Sequence, residues 1–167
     1  MTNEYFNLLL ILMAAIAAIV FVTLYFVEAS YGMLFDKKWG KPICMEAPVF
    51  LVMLLLWSRS ERQFETVPLL FFLFFELHYF QRAFIFPLLI KGKSKMPAGI
   101  MAMGIVFNLL NGYIQGTWIF YLAPENMYTI EWLATPQFII GTLLFFGGMY
   151  INSQSDYIVR HLRPPGD

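Results

Sequence analysis

Charge is scarce in this chain. Asp, Glu, Lys and Arg make up 13% of its 167 residues, about half the share usual in soluble domains. The 11 basic and 11 acidic residues cancel, so no basic face is available to track nucleic acid. Cysteine is nearly absent. Cys44 stands alone, which excludes an intramolecular disulfide and any cysteine-built zinc site. Long Pro/Gly/Ser linkers and internal repeats are missing too, so a single domain is the simplest organisation. Neither G-x-G-x-x-G nor G-x-x-x-x-G-K-[ST] occurs. Any nucleotide site here is therefore neither a Rossmann nor a P-loop one.

What is present is apolar. Hydrophobic residues make up 59% of the chain, and 18 residues are Phe. A membrane-spanning helix needs about 20 mainly apolar residues. The stretch 5–27, between Glu4 and Glu28, carries no charge; it is too long for a signal-peptide core and has no basic leader. Further candidates are 42–58, 66–90, 96–124 and 133–157. The second is short and spans only if it starts near Pro42 and takes Glu46 with it. The expected architecture is an all-α, polytopic transmembrane bundle of about five spans in one domain, 1–167.

Charge asymmetry orients it. Lys37, Lys38, Lys41, Lys91, Lys93, Lys95, Arg160 and Arg163 fall on one side, and Arg59 and Arg62 on the other. Cytoplasmic loops carry the Lys/Arg excess. The N-terminus is thus expected outside or in the lumen and the C-terminal end in the cytoplasm, in a bacterial inner membrane or the endoplasmic reticulum. Trp39, Trp57, Trp118 and Trp132 lie near span ends, as an interfacial aromatic belt would.

Polar residues within the spans are the candidate site, since a charge near the bilayer centre costs at least about 2.5 kcal/mol. Glu46 fits either a first-turn carboxylate favoured by the helix dipole or a functional acid. Glu76, Tyr79 and Arg82 recur every third residue on one helix face. They fit either an internal ion pair, Glu76 with Arg82 or with a neighbouring helix, or a buried site. His78 has no second ligand-spaced histidine nearby, so no metal is expected. Asn108, Asn111 and Gln115 share a face with Gly104, which suits helix-packing glue as well as a ligand. Asn152, Asp156 and Arg163 share a face near the end of the last span. There Asp156 and Arg160 fit a plain i, i+4 pair, while an amide, a carboxylate and a guanidinium together suit a nucleotide.

The run from Ile151 to Gly166, INSQSDYIVRHLRPPG, resembles the signature of the steroid 5α-reductase family, I-N-x-x-S-D-x-I-L-x-x-L-R-x-P-G. The segment from His78 to Arg82 resembles its H-Y-F-x-R element. Asn111, Gly112, Gln115 and Gly116 resemble N-G-x-x-Q-G, Glu46 and Pro48 resemble E-x-P, and Tyr31 with Gly32 resembles its Y-G pair. These elements stand in family order across 31–166, and the steroid-acting branch is the closer match. Two departures are visible. Met45 stands where the family has Gln, so one substrate-side hydrogen bond is missing or supplied elsewhere. Family members also continue past the P-G motif with two further spans, to seven, and that segment is expected to be needed for activity.

The resemblance implies NADPH-dependent reduction of a double bond conjugated to a steroid ketone. It casts Glu46 and Tyr79 as the catalytic pair that polarises the ketone. Asn152, Asp156, Arg160 and Arg163 become cofactor contacts, and Tyr31, Arg82, Asn111 and Gln115 substrate or cavity residues. The implied partners are a steroid or related lipid and the bilayer, with no nucleic acid and no obligate protein partner. Alternatives are reduction of an enoyl thioester or polyprenol, a membrane methyltransferase, and a non-catalytic membrane scaffold.

Overall fold

The computed structural model describes residues 3–26, 38–39, 43–89 and 96–162. Six α-helices dominate: α1 (Asn3–Phe26), α2 (Ile43–Ser58), α3 (Thr66–Phe80), α4 (Phe86–Leu89), α5 (Ala98–Thr117) and α6 (Pro136–His161). The all-α expectation holds apart from one small feature. Lys38–Trp39 (β1) pairs antiparallel with Met96–Pro97 (β2). This bridge brings the segment before α2 beside the start of α5.

Proline punctuates these helices. A π turn, Gln81–Ile85, joins α3 to α4 without a break, and Phe86 N–H closes back on the Gln81 carbonyl. The cause is Pro87. It has no N–H for the Ala83 carbonyl, and its ring would collide with that carbonyl in a regular helix. Widening the turn just before the proline re-pairs the freed backbone groups. A second π turn, Trp118–Leu122, ends α5, with Ala123 N–H on the Trp118 carbonyl at 2.8 Å; Pro124 then forbids continuation. The last long helix starts where Thr135 Oγ1 accepts the Phe138 N–H at 3.3 Å and Pro136 takes the first helical position, the arrangement both residue types favour.

Packing is tightest between α2 and α5, and a stripe of residues four apart explains it. Gly104, Asn108, Gly112 and Gly116 form one ridge of α5. A Cβ at Gly112 would lie 2.8 Å from the Val49 side chain and 3.2 Å from its carbonyl oxygen. One at Gly116 would meet Leu56 at 2.6 Å. Small residues let the two backbones approach this closely. Beside this seam sits the core of Met53, Phe72, Ile119 and Phe120, with Trp57 stacked on Phe72 at 4.7 Å.

Two of the expected belt tryptophans therefore point inward. Trp57 packs in the core and donates to the Gln63 carbonyl. Trp118 stacks on Phe6 at 6.2 Å and donates to Tyr128. Arg62, in the turn between α2 and α3, ties down the end of α5 through the carbonyls of Ile119 and Ala123.

The outward faces of α1 and α6 are apolar; Phe21 is 78% and Leu144 71% exposed. Among the described residues two helical stretches are long and apolar enough to cross a membrane, Asn3–Thr23 and Thr66–Leu89. Met45–Ser58 is apolar but shorter. At 1.5 Å per residue, the 16 residues of α2 reach roughly 24 Å, short of a hydrocarbon core of about 30 Å.

Candidate active site

Arg82 is the hub of the polar cluster. It sits in the π turn, and its guanidinium reaches two helices at once. Nη2 pairs with Glu46 Oε1 on α2 at 3.2 Å, and Nη1 with Asp156 Oδ2 on α6 at 3.1 Å. The Phe86 ring lies under the guanidinium, 4.7 Å from its carbon. All three charged side chains are roughly three-quarters buried.

This geometry corrects two expectations. Glu76 does not pair with Arg82. It is 8% exposed, and neither of its carboxylate oxygens has a hydrogen-bond partner among the described residues. Arg82 instead meets the two carboxylates that α2 and α6 bring to the π turn. Nor do Asp156 and Arg160 form a side-chain pair. Arg160 Nε donates to the Asp156 backbone carbonyl at 3.0 Å, and the Asp156 carboxylate belongs to Arg82.

Tyr79 lies one turn beyond Glu76. Asn111 Nδ2 donates to its phenol oxygen at 2.8 Å. With that oxygen accepting, the O–H proton remains available to another acceptor. Glu46 is held by Arg82 and stays within electrostatic reach of Tyr79 and His78. Its Oε2 is buried without a hydrogen-bond partner among the described residues.

The amide stripe of α5 divides its work. Asn108 is buried and donates to the Met45 carbonyl at 2.9 Å, a packing contact. Asn111 serves Tyr79. Gln115 is exposed and lines a cavity of about 400 Å³. That cavity is walled by Phe71, Phe75, Trp118, Phe138 and Phe145, from α3, the end of α5 and α6. Neither Glu46 nor Tyr79 lines it, but the Phe75 ring on its wall is 4.7 Å from the Tyr79 ring.

A second hollow, about 100 Å³, lies between α4 and α6 and is bordered by Gln81, Ser153, Asp156 and Arg160. Gln81 Nε2 donates to Ser153 Oγ at 2.6 Å across it. Sequence reading missed both residues. The only signal was their position inside the two strongest motifs. Asn152 is exposed on α6. Tyr31 and Arg163 lie outside the described residues. The Met45 side chain fills the space against Gly104, so where a Gln is usual the chain has an apolar contact between α2 and α5.

Fold and site together define a class: an all-helical protein with an arginine–carboxylate cluster and a tyrosine–asparagine pair enclosed by apolar helices. Residues 94–167 match the sequence pattern that describes 3-oxo-5-alpha-steroid 4-dehydrogenase. The chain is 40% identical over 93 residues to "3-oxo-5-alpha-steroid 4-dehydrogenase 1" of Bos taurus, covering 56% of this chain and 35% of that protein. It is 34% identical over 157 residues to "Steroid 5-alpha-reductase DET2" of Arabidopsis thaliana, covering 85% and 58%. It is 34% identical over 165 residues to "3-oxo-5-alpha-steroid 4-dehydrogenase 2" of Sus scrofa, covering 92% and 63%. The chain thus spans between about a third and two thirds of the length of these relatives. Over these stretches it is similar to the steroid 5α-reductase family.

Proposed function

We propose that this chain carries out, or forms the main part of, membrane-embedded NADPH-dependent reduction of the conjugated double bond of 3-oxo-4-ene steroids. The observation that carries the reading is that α2, α3, α5, α6 and the α3–α4 π turn supply two polar groups, Glu46–Arg82–Asp156 and Tyr79–Asn111, with Glu46 within electrostatic reach of Tyr79. Each belongs to a motif of the family, and nothing in helix packing alone calls for all five.

Reduction of an enone places negative charge on the ketone oxygen. Tyr79 donates its O–H to that oxygen. Asn111 fixes the phenol and polarises the O–H by donating to the same oxygen atom. Glu46, gripped by Arg82 through Oε1, keeps Oε2 for the substrate side of the cluster. The aromatic cavity beside Phe75 takes the steroid rings and excludes water.

The hollow at Asp156 and Arg160 suits a nucleotide in its donor set. A carboxylate accepts from ribose hydroxyls, and the Nη donors of a guanidinium face phosphate. Its size matches part of a dinucleotide, and Asn152 stands one turn before Asp156 on α6. NADPH, when bound there, supplies the hydride to the β-carbon, and the α-carbon takes a proton.

The topology that accompanies this reading has five spans, the N-terminus outside or lumenal and the Arg160 end cytoplasmic. It is supported by the lysine and arginine bias and by the apolar outer faces of the helices.

Steroid-dependent oxidation of NADPH by the detergent-purified protein tests the reading. Turnover with a 3-oxo-4-ene steroid and none with an enoyl thioester or polyprenol is expected. No nucleotide binding, or stabilisation by S-adenosylmethionine instead of NADPH in thermal shift, overturns it.

A further inference from the structure

We propose that Arg82 is a positioning residue that couples the catalytic carboxylate to occupancy of the nucleotide side. The inference rests on the reductase reading and adds a connection between its two halves. Glu46 lies 36 positions before Arg82 in sequence, and Asp156 lies 74 after it. They reach the cluster from different helices, and one planar fork holds both.

Three observations support a coupling device over an inert ion pair. First, the two carboxylates use different nitrogens of the same guanidinium, Nη2 and Nη1. A change at either end therefore alters the donor left for the other. Second, Glu46 is held through Oε1 alone, and its buried Oε2 has no hydrogen-bond partner among the described residues. Held by one oxygen on a charged partner, this carboxylate keeps an acceptor for a group that arrives. Third, Arg82 stands in the π turn created ahead of Pro87, with the Phe86 ring beneath its guanidinium. The fork is thus aimed by backbone geometry.

Among the described residues no other cation forms an ion pair with Glu46 or Asp156. When donors on the nucleotide engage Asp156, the Arg82 charge is shared with one carboxylate fewer, and the Glu46 contact strengthens. The acid on α2 is then set in place when the reductant is present. A lysine would keep the charge but lose the fork.

The test measures NADPH affinity by fluorescence titration of the purified full chain. Proteins compared are the native one, Glu46→Gln, Asp156→Asn and the double variant, each also carrying Arg82→Lys. With Arg82 present, the double variant's change in Kd should depart from the product of the single changes by about threefold or more. In the Arg82→Lys background the changes should multiply. If Arg82→Lys fails to fold, the Arg82 set alone decides. Simple multiplication there, or equal departure in both backgrounds, overturns the coupling and leaves the reductase reading intact. Loss of NADPH binding in the native protein overturns both.

Discussion

Tyr79→Phe is expected to lower kcat for steroid reduction by roughly a hundred- to a thousandfold, the usual loss on removing one oxyanion donor. The KM for NADPH should stay nearly unchanged. The reason is the direction of one hydrogen bond. Asn111 donates to the phenol oxygen, so the phenol does not spend its proton on its neighbour. The substitution removes that donor and the acceptor of Asn111 Nδ2, while the ring keeps its contacts with Phe75 and His78. Steady-state kinetics on purified protein, with thermal unfolding to confirm the fold, checks this. A loss below about tenfold, one decade of the rate scale, would remove Tyr79 from its role.

Glu76→Leu should make the protein more stable. Glu76 is a buried carboxyl with both oxygens lacking hydrogen-bond partners among the described residues, one helical turn from the core residue Phe72. Leaving such a group unsatisfied costs about 1–3 kcal/mol, and well-packed apolar substitutes for buried ionisable groups are often stabilising. Unfolding in detergent should therefore shift upward by about that amount. Glu76→Gln, which keeps the polarity, should gain little. If Glu76→Leu instead destabilises the protein, the carboxyl has a partner that the helix packing does not supply.

Much of the site was legible in the sequence, and the reason differs by residue. The motif from Ile151 to Gly166 and the segment from His78 to Arg82 named both ends of the cluster. Spacing could not say which carboxylate Arg82 would choose. The spacing offered Glu76 on the same helix, and the packing of α2 and α6 brings Glu46 and Asp156 to Arg82 instead. Pro87 signalled the irregular turn that carries Arg82, but a proline marks a break without giving its form. The division of labour between Asn108 and Asn111 was hidden for a similar reason. Both sit on one helix face, and only the close approach of α2 decides that the first meets a Met45 carbonyl while the second meets a phenol. The aromatic cavity was not legible at all, because its walls come from α3, the end of α5 and α6, which only the fold brings together.

The helices themselves followed more directly. Thr135 and Pro136 start α6 as their types dictate, and the glycine ridge of α5 marks the α2 contact. The short α2 is the element for which sequence and membrane thickness agree least. Its Glu46 end is held by Arg82 rather than left to the interface.

The claim on which everything else depends is that a ketone and a reduced nicotinamide meet at the cluster built on Tyr79, Glu46 and Arg82. The most direct measurement is the fate of the label when the purified protein reduces a 3-oxo-4-ene steroid with NADPH deuterated at the transferable position. Deuterium on the β-carbon and a solvent proton on the α-carbon is the expected product, with label transfer suppressed in Tyr79→Phe. Unlabelled product, deuterium on the carbonyl carbon, or full transfer by the Tyr79→Phe protein would contradict it.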